Sequence, residues 1–157
     1  QETKNKQNNN DKFIKMASIV GDNVELINRK GDKVDSSVLK SKKAVGFYFS
    51  AHWCPPCRGF TPVLVEAYNN AANKDFEIVF ITSDQDEESF QHYMDEAEMP
   101  WLALPFGSPK IGEIKQKYAV RGIPTFIVVD AQGNTITASG RGDIASEKEN
   151  AINKWAK

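Results

Sequence analysis

The sequence predicts an α/β domain built on a mixed sheet with helices on both faces. Three observations carry this reading. Residues 44–49 and 76–81 are near-continuous apolar runs, the pattern of central strands covered on both sides. Segments of helical periodicity follow each run. Two later strand-like runs, 124–129 and 135–138, meet across a four-residue turn and close the sheet with a hairpin. The order is strand, strand, helix, strand, helix, helix, strand, strand, helix. Right-handed crossovers then place the loop at Cys54 on a carboxyl edge of the central strands, where open α/β sheets carry their sites.

The elements follow in chain order. Residues 1–12 are polar, with Asn8, Asn9 and Asn10 among lysines, and are expected to form a disordered arm before a domain over 13–157. Phe13, Ile14, Ala17 and Ile19 suggest a short element on the domain edge. Val24 to Ile27 reads as a strand and Lys30-Gly31-Asp32 as its turn, giving an N-terminal hairpin extension. After the central run, Phe60, Val63, Leu64, Ala67, Tyr68 and Ala71 give a helix over 58–72 one broad apolar face. Pro62 inside it removes a bond to the Arg58 carbonyl and is expected to kink the axis.

Beyond the second run, Asp84 and Glu87 have capping-box spacing. The helix behind them carries Phe90, Tyr93, Met94 and Ala97. Residues 99–106, apolar and proline-punctuated, read as a packed connection. Residues 110–118 form a short amphipathic helix. A closing helix over 146–157 buries Ala151, Ile152 and Trp155.

Bulk properties narrow the function. The chain has 157 residues, enough for one domain with a sizeable core, and a net charge of −1, which gives no electrostatic footprint for nucleic acid or anionic lipid. No apolar run reaches membrane-spanning length. No glycine fingerprint for a dinucleotide appears, so no cofactor is expected. Nucleic acid and membrane are not expected as partners, and a monomer is. A cytoplasmic location is expected, and because the chain begins with Gln rather than Met a nuclear or extracytoplasmic one stays open.

Both cysteines fall in Trp53-Cys54-Pro55-Pro56-Cys57, between a strand and a helix. Two thiols this close can close a disulfide within one turn. A cysteine at the first helical turn faces unpaired amides and the positive end of the helix dipole, which stabilise its thiolate. Cys54 is thus the candidate nucleophile, and Cys57, one turn in, resolves the mixed disulfide. The alternatives are a structural disulfide, whose loop is too short to stabilise much, and half of a zinc site. Zinc needs four ligands. Neither His52 nor His92 stands at ligand spacing, so no metal is expected. Pro55 and Pro56 fix φ and remove donors, and they also start a helix. His52, when protonated, would raise the local potential; the alternative is an exposed side chain. His92, beside an apolar helix face, is expected to have no chemical role.

The segment from Tyr48 to Pro62, containing Trp53-Cys54-Pro55-Pro56-Cys57-Arg58-Gly59-Phe60, resembles the active-site segment of tryparedoxins and nucleoredoxins in the thioredoxin superfamily. So do Phe76-Glu77-Ile78-Val79-Phe80, Met99-Pro100-Trp101-Leu102-Ala103 and Gly122-Ile123-Pro124-Thr125. The resemblance implies a thioredoxin fold and a thiol–disulfide oxidoreductase. It implies that Trp53 shields the disulfide, against a core role. It also implies a cis bond before Pro124, against a trans turn, which leaves the Ile123 backbone free to pair with an extended substrate.

Tyr48 stands where thioredoxins proper carry a buried aspartate. It can donate a hydrogen bond but is a poor base near neutrality; the other reading is core packing. Proton transfer then falls to bound water or another side chain. Asp84 matches one residue of the tryparedoxin Trp-Asp-Glu segment that contributes to trypanothione recognition, while Ser83 and Gln85 depart from it. The alternative for this acidic cluster is a solvated helix start. Arg141 matches an arginine implied to meet substrate carboxylates. The implied partners are disulfide-containing protein substrates and, as electron donor, a low-molecular-weight thiol or a reductase. A nucleoredoxin-like redox-gated binding module and an extracytoplasmic thiol reductase are the competing functions.

Overall fold

The computed structural model describes residue 20 and residues 23–157. The expected arm over 1–12 and the element carried by Phe13, Ile14, Ala17 and Ile19 lie outside the described residues. Among the described residues, β1 (Glu25–Ile27), β2 (Lys33–Asp35), β3 (Ala44–Ser50), β4 (Phe76–Thr82), β5 (Leu102–Ala103), β6 (Thr125–Asp130) and β7 (Thr135–Thr137) form one sheet in the order β2-β1-β5-β4-β3-β6-β7. The centre is parallel, with Ala44 opposite Phe76 and Ser50 opposite Thr82. β6 runs antiparallel to β3, and β1 runs antiparallel to β2 and β5. The mixed sheet and the N-terminal hairpin are as the sequence reading has them.

Every residue of β3 is buried, which explains its unbroken apolar run. Alternation then sorts side chains between two cores. Tyr48, Ile78, Phe80 and Phe126 join the layer that includes Phe60, Leu64, Phe90, Met94 and Ile152. Phe47, Phe49, Val79, Ile81 and Ile127 join the layer that includes Leu39 and Ile114. Helices therefore cover both faces: α1 (Pro55–Asn70), α2 (Glu87–Glu96), α4 (Gly140–Glu147) and α5 (Glu149–Trp155) on one, α3 (Lys110–Lys117) on the other.

Four local expectations are corrected. α1 starts at Pro55, not 58, because both prolines occupy its first turn, where a missing N–H costs nothing. The cap of α2 is Asp86, whose carboxylate accepts from the Ser89 amide at 2.7 Å, so the Asp84–Glu87 capping box does not form. The connection over 99–106 contains β5, too short for periodicity to show. The closing helix is two: α4 and α5 break at Lys148, whose φ is +56°. α4 hides behind Gly140 and Gly142, poor helix formers. Gly140 is required by packing, since a Cβ there would lie 2.8 Å from the Phe126 carbonyl oxygen.

Candidate active site

The carboxyl ends of β3 and β4 and the loop entering β6 converge on the two cysteines. Cys54 caps α1 in extended conformation, and its Sγ accepts the Cys57 amide at 3.4 Å. Cys54 and Cys57 are joined as a disulfide with their Cα atoms 5.2 Å apart. Cys54 keeps 4% of its surface exposed and Cys57 none, so the N-terminal sulfur is the one nearer solvent. The Ile123–Pro124 bond is cis, and the Ile123 carbonyl oxygen lies 3.9 Å from the Cys54 Sγ. Pro124 is buried immediately before β6, while Ile123 is half-buried.

The loop between β3 and α1 is pinned from β4. Asp84 is 8% exposed, and its carboxylate accepts from the His52 amide and the Thr82 hydroxyl, each at 2.9 Å. The carboxylate is thereby turned inward. Trp53 is 57% exposed, so the core reading fails. Its indole N–H donates to the Ser83 carbonyl at 3.1 Å, laying the ring along the loop beside Cys54.

Beneath the disulfide lies a set of buried hydroxyls. Tyr48 Oη and Tyr93 Oη each sit 2.6 Å from Thr61 Oγ1. Thr61 donates to the Cys57 carbonyl at 2.9 Å, and Tyr93 meets Ser50 Oγ at 2.7 Å. Tyr48 also lies 3.4 Å from the Cys57 carbonyl. Burial, reinforced by Tyr93, pushes the Tyr48 phenol far above its ordinary value. It stays protonated and serves as a hydrogen-bond donor, which rules it out as a base near neutrality.

Two grooves flank the cysteines. Trp53, Ser83, Lys115, Arg121 and Ile123 line one. Lys115 donates to Ser83 Oγ at 2.8 Å, and burial draws its ammonium below the usual lysine value. Pro56, Phe60, Arg141 and Lys148 line the other. Arg141 therefore stands beside the second motif proline, in the first turn of α4. Asp84 and Arg141 do not share a groove.

Sequence reasoning missed Thr61, Tyr93, Ser83 and Lys115. Thr61 stands four residues after Cys57, one helical turn, which was a usable signal. The others arrive through tertiary packing. His52 and His92, read as unconnected, both place Nε2 3.0 Å from the same Glu96 oxygen. The hydrogen bond from His52 draws the Glu96 carboxyl below its ordinary value.

Comparison with known proteins agrees with this geometry. A thioredoxin-like family model matches residues 42–135. Mouse nucleoredoxin is 44% identical over 127 residues, 79% of this chain and 28% of the relative. The chain thus spans under a third of the nucleoredoxins it matches. Tryparedoxin from Trypanosoma brucei brucei is 39% identical over 83% of this chain and 90% of that protein. The crystal structure of tryparedoxin I from Crithidia fasciculata superposes with a TM-score of 0.78 at 39% identity, covering 90% of this chain and 98% of that one. With a cysteine pair closed at a helix start beside a cis-proline loop, on the fold of these relatives, the chain belongs to the thioredoxin-like family, with tryparedoxins and nucleoredoxins among its relatives.

Proposed function

We propose that the protein reduces disulfides in protein or small-molecule substrates through the Cys54/Cys57 pair. The Cys54 thiolate attacks one sulfur of the substrate disulfide, and the substrate's other sulfur leaves as a thiolate. Cys57, deprotonated, then attacks Cys54 Sγ. The second substrate sulfur departs, and the Cys54–Cys57 disulfide remains. Two electrons pass to the substrate, and two protons complete its thiols. A low-molecular-weight thiol or a reductase returns the two electrons.

The observation that carries this reading is the Cys57 amide directed at Cys54 Sγ at 3.4 Å from the first turn of α1. In the reduced protein the same amide and the helix dipole stabilise the thiolate. Pro55 and Pro56 start the helix that supplies them. The Ile123 backbone, held beside Cys54 Sγ by the cis-Pro124 loop, pairs with an extended substrate strand. Trp53 covers one side of the reacting sulfur. Lys115 and Arg121 in one groove and Arg141 in the other favour substrates with acidic groups near the disulfide. Asp84 acts through the loop it anchors. Tyr48 holds the Cys57 turn, and proton transfer falls to a bound water or another side chain. One chain carries the whole dithiol, so a monomer suffices, and a reducing cycle suits the cytoplasm.

Insulin-disulfide reduction tests the assignment. Cys54→Ser abolishes turnover, and Cys57→Ser accumulates mixed disulfides with substrate. Full turnover by the Cys54→Ser protein refutes it.

A further inference from the structure

His52, His92 and Glu96 stand outside the thiol–disulfide steps set out above, and their side chains converge. His92 and Glu96 stand one turn apart on α2, and their Nε2 and Oε2 atoms are 3.0 Å apart. His52 comes from the loop before Cys54 and brings its own Nε2 to 3.0 Å from the same oxygen. The three potential ligand atoms all lie within 4.8 Å of one another. The sequence has two histidines in all, and both are here.

The arrangement is held from several sides. The His52 amide is tied to Asp84, its ring packs edge-on against His92 at 5.2 Å, and it meets the Tyr93 ring at 5.6 Å. A zinc ion with bonds of about 2.0–2.2 Å in tetrahedral geometry requires ligand atoms roughly 3.3–3.6 Å apart. The two 3.0 Å separations open to that spacing with shifts of a few tenths of an ångström. His92 and Glu96 are exposed and His52 is half-buried, so an ion enters from solvent and the rotamers adjust. Two imidazoles and one carboxylate form a ligand set suited to borderline-soft divalent ions, with a position left for water. Arg58, which lines the adjoining cleft with Glu96 and Tyr93, opposes the cation and sets a limit on affinity.

We propose that His52, His92 and Glu96 form a binding site for a divalent transition-metal ion of the zinc class, outside the dithiol and on the loop that leads into it. None of the ligands is sulfur, so the site binds in both redox states. An occupied site clamps the His52 loop to α2 two residues before Cys54.

The test uses the full chain in its disulfide form, where neither sulfur can ligate. Zinc chloride is titrated in by calorimetry. The proposal expects one ion per chain, with equal affinity in a Cys54→Ser/Cys57→Ser double variant. His92→Ala and Glu96→Gln, both at exposed positions, each weaken binding by about tenfold or more. Nuclear magnetic resonance adds a second readout: both imidazole Hε1 signals shift in the same one-to-one titration. Absence of stoichiometric binding by the disulfide form overturns the proposal. So does binding confined to the reduced protein, or binding unchanged by His92→Ala.

Discussion

Thr61 is where the buried hydroxyls under the disulfide meet, and Thr61→Val removes that meeting point at almost constant volume. A threonine hydroxyl has one proton and two lone pairs. Here the proton goes to the Cys57 carbonyl at 2.9 Å, and Tyr48 and Tyr93 approach the oxygen at 2.6 Å each. The valine protein keeps the methyl packing and loses all three contacts. Tyr48 can fall back on the Cys57 carbonyl, 3.4 Å away. Tyr93 can turn its proton to Ser50, which then leaves the Ser50 proton without its present acceptor. One buried donor is orphaned in either arrangement, at about 1–3 kcal/mol, and the fallback bond is long. The expected loss is about 2 kcal/mol, and with a urea m-value of about 2 kcal/mol/M the midpoint falls by roughly 1 M. Thr61→Ser keeps the hydroxyl and loses one buried methyl, about 0.8 kcal/mol. Urea unfolding of the oxidised proteins at unchanged m gives both numbers. A Thr61→Val protein as stable as the parent, or more stable than Thr61→Ser, refutes the reasoning.

Two further perturbations bear on the scaffold. Burial raises the Glu77 carboxyl above its ordinary value, although the Ile78 amide and Tyr68 hydroxyl partly oppose this. A carboxyl with a raised folded pKa gives stability that is complete at acid pH and is lost as pH rises through the carboxylate range. Glu77→Gln therefore gains stability over the parent near pH 7, and the gain fades as pH falls towards 4.5, the ordinary carboxyl value, below which it is gone; thermal unfolding from about pH 7 to about pH 4 shows it, and a gain that grows on acidification contradicts it. At Gly140, a Cβ would lie 2.7 Å from the Phe126 ring and 2.8 Å from its carbonyl oxygen, whereas Gly142 has open space around it. Gly140→Ala is expected to destabilise by about 1–3 kcal/mol and Gly142→Ala to stabilise by about 0.8 kcal/mol, so a reversed order in urea unfolding contradicts the packing described for α4.

Chemistry confined to one sequence window was legible. Cys54-Pro55-Pro56-Cys57 after an apolar strand contains the nucleophile candidate, its partner and the helix start in five consecutive residues with Trp53. β3 and β4 were legible for the same reason: burial along the strand, complete in β3 and broken in β4 only at the half-buried Glu77, leaves a near-continuous apolar signature. The cis bond before Pro124 came from resemblance, since an isolated proline at a strand entrance also fits a trans turn. What the sequence hid is what the sheet assembles. β5 is two residues long and exists because β4 and β1 offer it partners. Asp84 has the spacing of a cap to Glu87, yet its carboxylate serves the loop from β3, because pairing of Ser50 with Thr82 brings the two strand ends side by side. His52 and Glu96 are 44 residues apart and meet through the packing of α2.

Titration of the Cys54 thiol in the reduced protein, read from the pH dependence of its alkylation rate or its thiolate ultraviolet absorbance, weighs most directly on the chemistry. The amide of Cys57 and the dipole of α1 act on that sulfur, so its ionisation midpoint falls below the value of about 8.5 for a free cysteine. A midpoint at or above that value would mean that the helix start does not stabilise the thiolate, and the nucleophilic role of Cys54 would be contradicted.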